Sequence, residues 1–109
     1  MDMTTLVKDD KMIIYLSGEI DHHSASEIRE GVDKLIISQR PKVFILDLAG
    51  VDFMDSSGLG LVLGRYKKTK EFGASMYLAN VGERTSRILK MAGVDKIIKS
   101  VDACIQQQE

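Results

Sequence analysis

An apolar run followed by a helix-start signal is the feature that most constrains how this chain folds. Residues 42–48 are nearly continuous in apolar side chains, which is typical of a strand buried within a sheet. Asp55, Ser56 and Ser57 follow a few residues later. Their side-chain oxygens accept hydrogen bonds from the free backbone N–H groups of a helix N-terminus. The segment therefore predicts a strand, a short loop and a helix over residues 57–72.

The rest of the chain alternates in the same way, which predicts a single α/β domain over residues 1–109. Alternation after a first hairpin implies right-handed parallel crossovers, and hence a mixed, mostly parallel sheet of about five strands with helices packed on it. The predicted order is ββαβαβαβα. Strands are expected at 4–8, 11–18, 42–48, 75–79 and 96–99, and helices at 24–38, 57–72, 82–91 and 101–106, with a frayed tail at 106–109. Ser24 and Glu27 match a capping box that opens the first helix.

Two predicted loops follow strands that neighbour each other in this scheme. Residues 18–23 follow the second strand and residues 51–57 follow the third. Sites in open α/β sheets gather beyond the carboxyl ends of the strands. We therefore expect these two loops to lie side by side and to form the functional edge.

Composition excludes several classes of function. The net charge is −1, from 15 basic and 16 acidic residues, so no large basic footprint for nucleic acid is expected. No apolar run reaches the ~20 residues that span a bilayer, and the start of the chain lacks a signal-peptide pattern, which makes the cytoplasm the expected compartment. The lone Cys104 excludes an internal disulfide and is expected to fill space in the last helix.

The serines at the predicted helix start admit three roles: cap, nucleophile or phosphate acceptor. A hydrolase nucleophile needs a G-x-S-x-G elbow. Around Ser56 only the second glycine, Gly58, is present, because Met54 occupies the first position. His22 or His23 could supply a base, but a chain of 109 residues leaves little material for a substrate pocket.

Three glycines within the same helix require an explanation, since each costs about 1 kcal/mol relative to alanine. Gly58, Gly60 and Gly64 either pack closely on a strand or let a partner or a phosphate approach. Their spacing is one residue too long for a dinucleotide fingerprint, and no acidic residue follows at the expected distance. Both explanations stay open, with nucleotide binding as a minor alternative.

The sequence Asp21-His22-His23 does not make a convincing metal site. Adjacent histidines on a loop rarely point at one ion, and no further ligands stand at helical spacing. Solvent-facing residues or a partner contact are the two interpretations, and no metal is expected.

Three motifs carry a family resemblance: Ser17 to His23, Phe53 to Gly60, and Leu63 to Lys67. With them the chain resembles the STAS-domain anti-sigma factor antagonists, from the first hairpin to the helix end at Met91-Ala92-Gly93. Gly-Glu-x-Asp-His-His favours the sporulation branch over the stress-response antagonists. The stretch 80–87 and the tail after residue 99 are not diagnostic.

The resemblance implies a partner switch and no enzymatic activity or cofactor. The unphosphorylated antagonist would bind an anti-sigma factor serine kinase and release a sigma factor, which it affects only indirectly. The kinase would then phosphorylate Ser56, and a serine phosphatase would reset the switch. In line with the charge balance and the lack of a long apolar run, no nucleic-acid or membrane partner is expected. The implied partner-binding residues are Gly18, Glu19, Asp21, His22, His23, Asp55, Ser57, Gly58, Gly60, Gly64 and Arg65. The alternative is a STAS module or small enzyme that binds a nucleotide or another small ligand.

Overall fold

A computed structural model describes residues 1–101 of the chain. The five strands are β1 (Asp2–Lys8), β2 (Lys11–Ile20), β3 (Val43–Met54), β4 (Ser75–Ala79) and β5 (Ser100–Val101). The helices are α1 (His22–Gln39), α2 (Ser56–Glu71) and α3 (Glu83–Met91), and a 3₁₀ turn spans Val94–Lys96.

The strands form one sheet in the order β1-β2-β3-β4-β5. β1 pairs with β2 in the antiparallel sense, and the three remaining neighbour pairs are parallel. Each parallel connection contains a helix and moves one strand along in the same direction, so right-handed crossovers place the helices on one face. The predicted α/β class and the mostly parallel sheet are confirmed.

The main core lies between that face and the helices. Alternate residues of the inner strands point into it, and Ile28, Val32, Leu61 and Leu89 meet them from the helices; the strand residues include Met12, Ile14, Leu16, Phe44, Leu46 and Leu78. Ile13, Ile45 and Ala79 form a smaller cluster on the opposite face. The two-sided apolar pattern of β2 thus correctly indicates an inner strand.

β2 and β3 run further than predicted, so the two predicted loops are wrong. Residues 18–20 continue β2 and residues 51–54 continue β3. The glycines within these strands do not end them. The hydrogen-bond register between β2 and β3 shifts near Gly18, whose φ is +107°. A Cβ on Gly50 would lie 2.7 Å from the Cβ of Ser17. Because glycine has no side chain, the strands can bulge and their backbones can approach closely at these positions.

The first helix begins earlier than predicted, and its capping box is a different one. Asp21 is the N-cap: its carboxylate accepts a hydrogen bond from the Ser24 N–H at 2.9 Å, and the Ser24 hydroxyl accepts one from the Asp21 N–H at 2.9 Å. This reciprocal pair of hydrogen bonds satisfies free N–H groups at the start of α1. The N-cap therefore lies three residues before Ser24, the predicted one.

The end of the described chain also departs from prediction. No strand forms over residues 96–99; Val94 and Ile98 are buried at helical spacing, and the 3₁₀ turn at Val94–Lys96 carries them into the main core. Val101 belongs to β5 and does not begin a helix. The rest of the predicted last helix, Cys104 and the tail at 106–109 lie outside the described residues.

Candidate functional site

The carboxyl ends of β2 and β3 meet at one edge of the sheet. Glu19 is paired with Phe53 and Ile20 with Met54. The Asp55 N–H donates to the Ile20 carbonyl at 3.2 Å, so the pairing persists to the start of α2. The predicted neighbourhood of these two segments is confirmed, although strand ends and helix starts form it rather than loops.

Asp55 caps α2 and leaves Ser56 without a capping role. Its carboxylate Oδ1 accepts hydrogen bonds from the Ser57 N–H at 2.8 Å and the Gly58 N–H at 3.3 Å. Ser56 is the first residue of the helix and is exposed. Within residues 1–101 its hydroxyl makes no hydrogen bond. The Ser56 hydroxyl is therefore accessible to a reacting partner, and removing it takes no bond from the fold.

The start of α1 presents polar side chains beside it. The backbone N–H and the hydroxyl of Ser24 hold the pKa of Asp21 below its usual value, because both hydrogen bonds favour the carboxylate. His22 and His23 are exposed in the first turn, and His23 Nε2 lies 3.0 Å from a Glu27 carboxylate oxygen. Among the described residues, no group of three or more His, Cys, Asp or Glu is arranged to hold a metal ion.

The three glycines of α2 do not share one explanation, because only one of them packs closely on a strand. A Cβ on Gly58 would lie 2.6 Å from the Met54 Cβ and 3.2 Å from Ile20 Cγ2, so this glycine permits close packing on the strand ends. A Cβ on Gly60 or Gly64 would meet nothing within 4 Å. Packing explains only Gly58, and the other two leave open backbone on the helix surface.

Arg65 is not on an exposed flank, which corrects the sequence-based expectation. The residue is only 8% exposed, and its Nη1 lies 3.2 Å from Asp33 Oδ1 on α1. Burial lowers its pKa, and the Asp33 carboxylate opposes that effect. Helical spacing contained the signal: Arg65 follows Leu61 by four residues and Val62 by three, and both of these are buried.

Phe53 was given no separate role from the sequence, although it is paired with Glu19 at this edge. Its side chain is 42% exposed, whereas Met54 beside it is buried. An exposed aromatic residue is the type of group that anchors protein interfaces.

No helix in the described part of the chain is both long and apolar enough to cross a membrane.

Comparison with known proteins places these features in a family. The STAS domain model matches residues 2–106. The chain is 40% identical over 91 residues to an anti-sigma F factor antagonist of Paenibacillus polymyxa, covering 84% of this chain and 78% of that protein.

Two solved structures of the anti-sigma factor antagonist SpoIIAA are also similar. The unphosphorylated form superposes with a TM-score of 0.80 at 28% identity, over 94% of this chain and 88% of that one. The phosphorylated form of SpoIIAA, described as a Bacillus cell fate determinant, superposes with a TM-score of 0.74 at 26% identity, over 99% and 100% of the two chains.

Proposed function

The chain belongs to the STAS domain family, and we propose that it is an anti-sigma factor antagonist controlled by phosphorylation. In its unphosphorylated form it binds an anti-sigma factor serine kinase and thereby releases a sporulation sigma factor. Phosphorylation of Ser56 ends that binding. The 40% identity to an anti-sigma F factor antagonist supports the sigma-factor assignment, and the existence of SpoIIAA in two phosphorylation states supports a phosphate switch.

The geometry of Ser56 is the observation that carries the proposal. Asp55 satisfies the N–H groups at the start of α2, so the exposed Ser56 hydroxyl has no structural duty there. A kinase can reach it without unwinding the helix. By contrast, Ser57 is half-buried and faces the seam between α1 and α2.

The docking surface follows from the residues that surround Ser56. We define the switch surface as Glu19, Asp21, Phe53, Ser56 and Gly60, all of which are exposed at the same edge. His22, His23 and Gly64 extend it along the two helices, whereas Gly18, Asp55, Ser57 and Gly58 support it from within or beside it. Arg65 contributes to the seam between the helices and not to this surface.

The physics of a phosphate at this position favours a change of surface over a change of fold. A phosphoserine adds about −1.5 to −2 charges. The N-terminal end of the α2 dipole stabilises that charge by roughly 0.3–1 kcal/mol, while the Asp55 carboxylate next to it repels it. These opposed effects leave the helix in place. A partner that packs on the switch surface must instead desolvate the phosphate or oppose it with its own charges.

The remaining parts of the switch lie outside this chain. A serine phosphatase restores the Ser56 hydroxyl, and the antagonist itself catalyses neither step. A protein that acts on the availability of a sigma factor works in the cytoplasm, where bacterial transcription takes place.

Mapping of the phosphorylated residue tests the proposal. The protein is incubated with its cognate anti-sigma factor kinase and ATP, digested and analysed by mass spectrometry. We expect one phosphate on Ser56, none in Ser56→Ala, and a phosphate still located on Ser56 in the matched variant Ser57→Ala. Phosphate on Ser57, or no phosphate in the wild-type protein, would overturn the assignment.

A further inference from the structure

A groove runs along the seam between α1 and α2 and borders the switch surface. Its volume is about 310 Å³. It is lined by His22, Ala25, Ser26 and Arg29 from α1 and by Ser57, Gly60, Leu61 and Arg65 from α2. This volume suits a small ligand. Gly60 belongs to the switch surface and His22 extends it, whereas Ser26 and Arg29 have no part in the proposed docking of the kinase.

Arg65 lies in the wall of this groove with unused hydrogen-bonding capacity. Its side chain is 9% exposed. The buried Nε and Nη1 atoms have no hydrogen-bond acceptor, because the 3.2 Å approach to Asp33 lacks the geometry of a hydrogen bond. A buried charged donor without an acceptor is costly. These two atoms have almost no exposed surface, so they cannot themselves contact a ligand, but the charge of Arg65 still favours an anion in the groove that this residue lines.

A second guanidinium group faces the same space. Arg29 lines the groove, and its nearest polar contact is the Ser26 hydroxyl at 3.4 Å. No carboxylate in residues 1–101 forms an ion pair with Arg29. The charges of Arg29 and Arg65 repel each other. Two positive charges and the single negative charge of Asp33 leave a local charge of +1, which favours an anion.

The neutral lining completes a site for oxygen-rich anions. The hydroxyls of Ser26 and Ser57 are donors on opposite walls, and His22 stands at the rim. Gly60 presents bare backbone between them, and a Cβ there would meet nothing within 4 Å. The forked donors of two arginines match the several acceptor oxygens of a phosphate group.

We propose that the α1–α2 groove binds a phosphate group, either as inorganic phosphate or as a small phosphomonoester, between Arg29 and Arg65. The phosphate accepts hydrogen bonds from the two guanidinium groups and from the hydroxyls of Ser26 and Ser57. This site goes beyond the proposed function, since it needs neither the kinase nor a phosphate on Ser56.

Titration of the unphosphorylated protein, followed by amide NMR, tests the groove. Sodium phosphate and glycerol 3-phosphate are the two probes, and sodium chloride at the same ionic strength is the blank. We expect saturable shifts of the Ser57 and Gly60 amides with both phosphate probes and none with chloride. Tighter binding of glycerol 3-phosphate assigns a phosphomonoester as the ligand, and equal or tighter binding of sodium phosphate assigns the free ion.

Charge-matched variants connect that binding to the arginines. Arg29→Gln should weaken phosphate binding about tenfold, as expected for loss of one charge-assisted hydrogen bond. Arg84→Gln removes the same charge from an exposed position on α3 and should leave the affinity unchanged. Both variants alter exposed side chains, so folding is retained. No saturation up to about 10 mM phosphate, which corresponds to a very weak site, or equal affinities in the two variants, contradicts the proposal.

Discussion

At the scale of single residues, neighbouring side chains at the start of α2 perform separate tasks. Asp55 satisfies two backbone N–H groups at 2.8 and 3.3 Å, and Ser56 makes no contact that the helix needs. A modification site that also capped the helix would couple signalling to stability. In the proposed switch, the Ser56 hydroxyl would gain and lose a phosphate while the Asp55 cap stays in place.

Stability measurements on two alanine variants test this separation. Asp55→Ala should lower the free energy of unfolding by about 0.5–2 kcal/mol, the usual cost of losing an N-cap. Ser56→Ala should change it by less than about 0.5 kcal/mol, as for other exposed residues. Urea denaturation of both variants and the wild-type protein measures the difference. An equal loss in the two variants would show that Ser56 shares the capping role.

The helix caps show which local features the sequence predicted correctly and which it did not. The composition of the motif correctly indicated a helix start at Asp55–Ser57, but it did not say which residue caps, since all three are good caps. For α1 the Ser24–Glu27 pattern matched the capping template, yet Asp21 and Ser24 form the actual box. Only three-dimensional contacts decide between overlapping cap signals.

At the scale of secondary-structure elements, α2 combines a packed face with an open one. Gly58 lies against Met54 and Ile20 at distances that exclude a Cβ, and Gly60 faces open space. Packing therefore requires a glycine at position 58 but not at position 60. Packing of α2 on the strand ends fixes where Ser56 stands, and the open face is available to other molecules.

Two glycine-to-alanine variants should move stability in opposite directions. Gly58→Ala forces a Cβ to within 2.6 Å of the Met54 Cβ and should destabilise the protein by about 1–3 kcal/mol. Gly60→Ala meets no obstacle and should stabilise it by up to about 1 kcal/mol through helix propensity. Thermal melts of the two variants provide the comparison. A destabilised Gly60→Ala would place an unrecognised contact on the open face.

Element types were predictable from hydrophobic periodicity, but some boundaries were not. The second and third strands were predicted to end at Gly18 and Leu48, whereas in the sheet both continue, and Gly18 and Gly50 accommodate irregular pairing between β2 and β3. The run from Lys96 to Lys99 was predicted to be a strand, but burial of Val94 and Ile98 in the main core selects a 3₁₀ turn at Val94–Lys96. Such choices depend on tertiary packing, which periodicity alone does not contain.

At the scale of the whole molecule, parallel crossovers place the starts of α1 and α2 at one edge of the sheet. The ion pair between the buried Arg65 and the partly exposed Asp33 joins the two helices, and the paired ends of β2 and β3 hold their starts together. Because of these connections, we expect a charge added at Ser56 to change the fold very little. We therefore expect the phosphate to weaken partner binding without changing the fold.

The most direct test of this claim compares the binding of two forms to the anti-sigma factor kinase. Protein phosphorylated only on Ser56 and unmodified protein are titrated by calorimetry against the same kinase preparation, and both are melted. The account predicts at least about a tenfold loss of affinity, or 1.4 kcal/mol, with melting temperatures that agree closely. Equal affinities of the two forms, or an affinity loss that appears only together with partial unfolding, would contradict it.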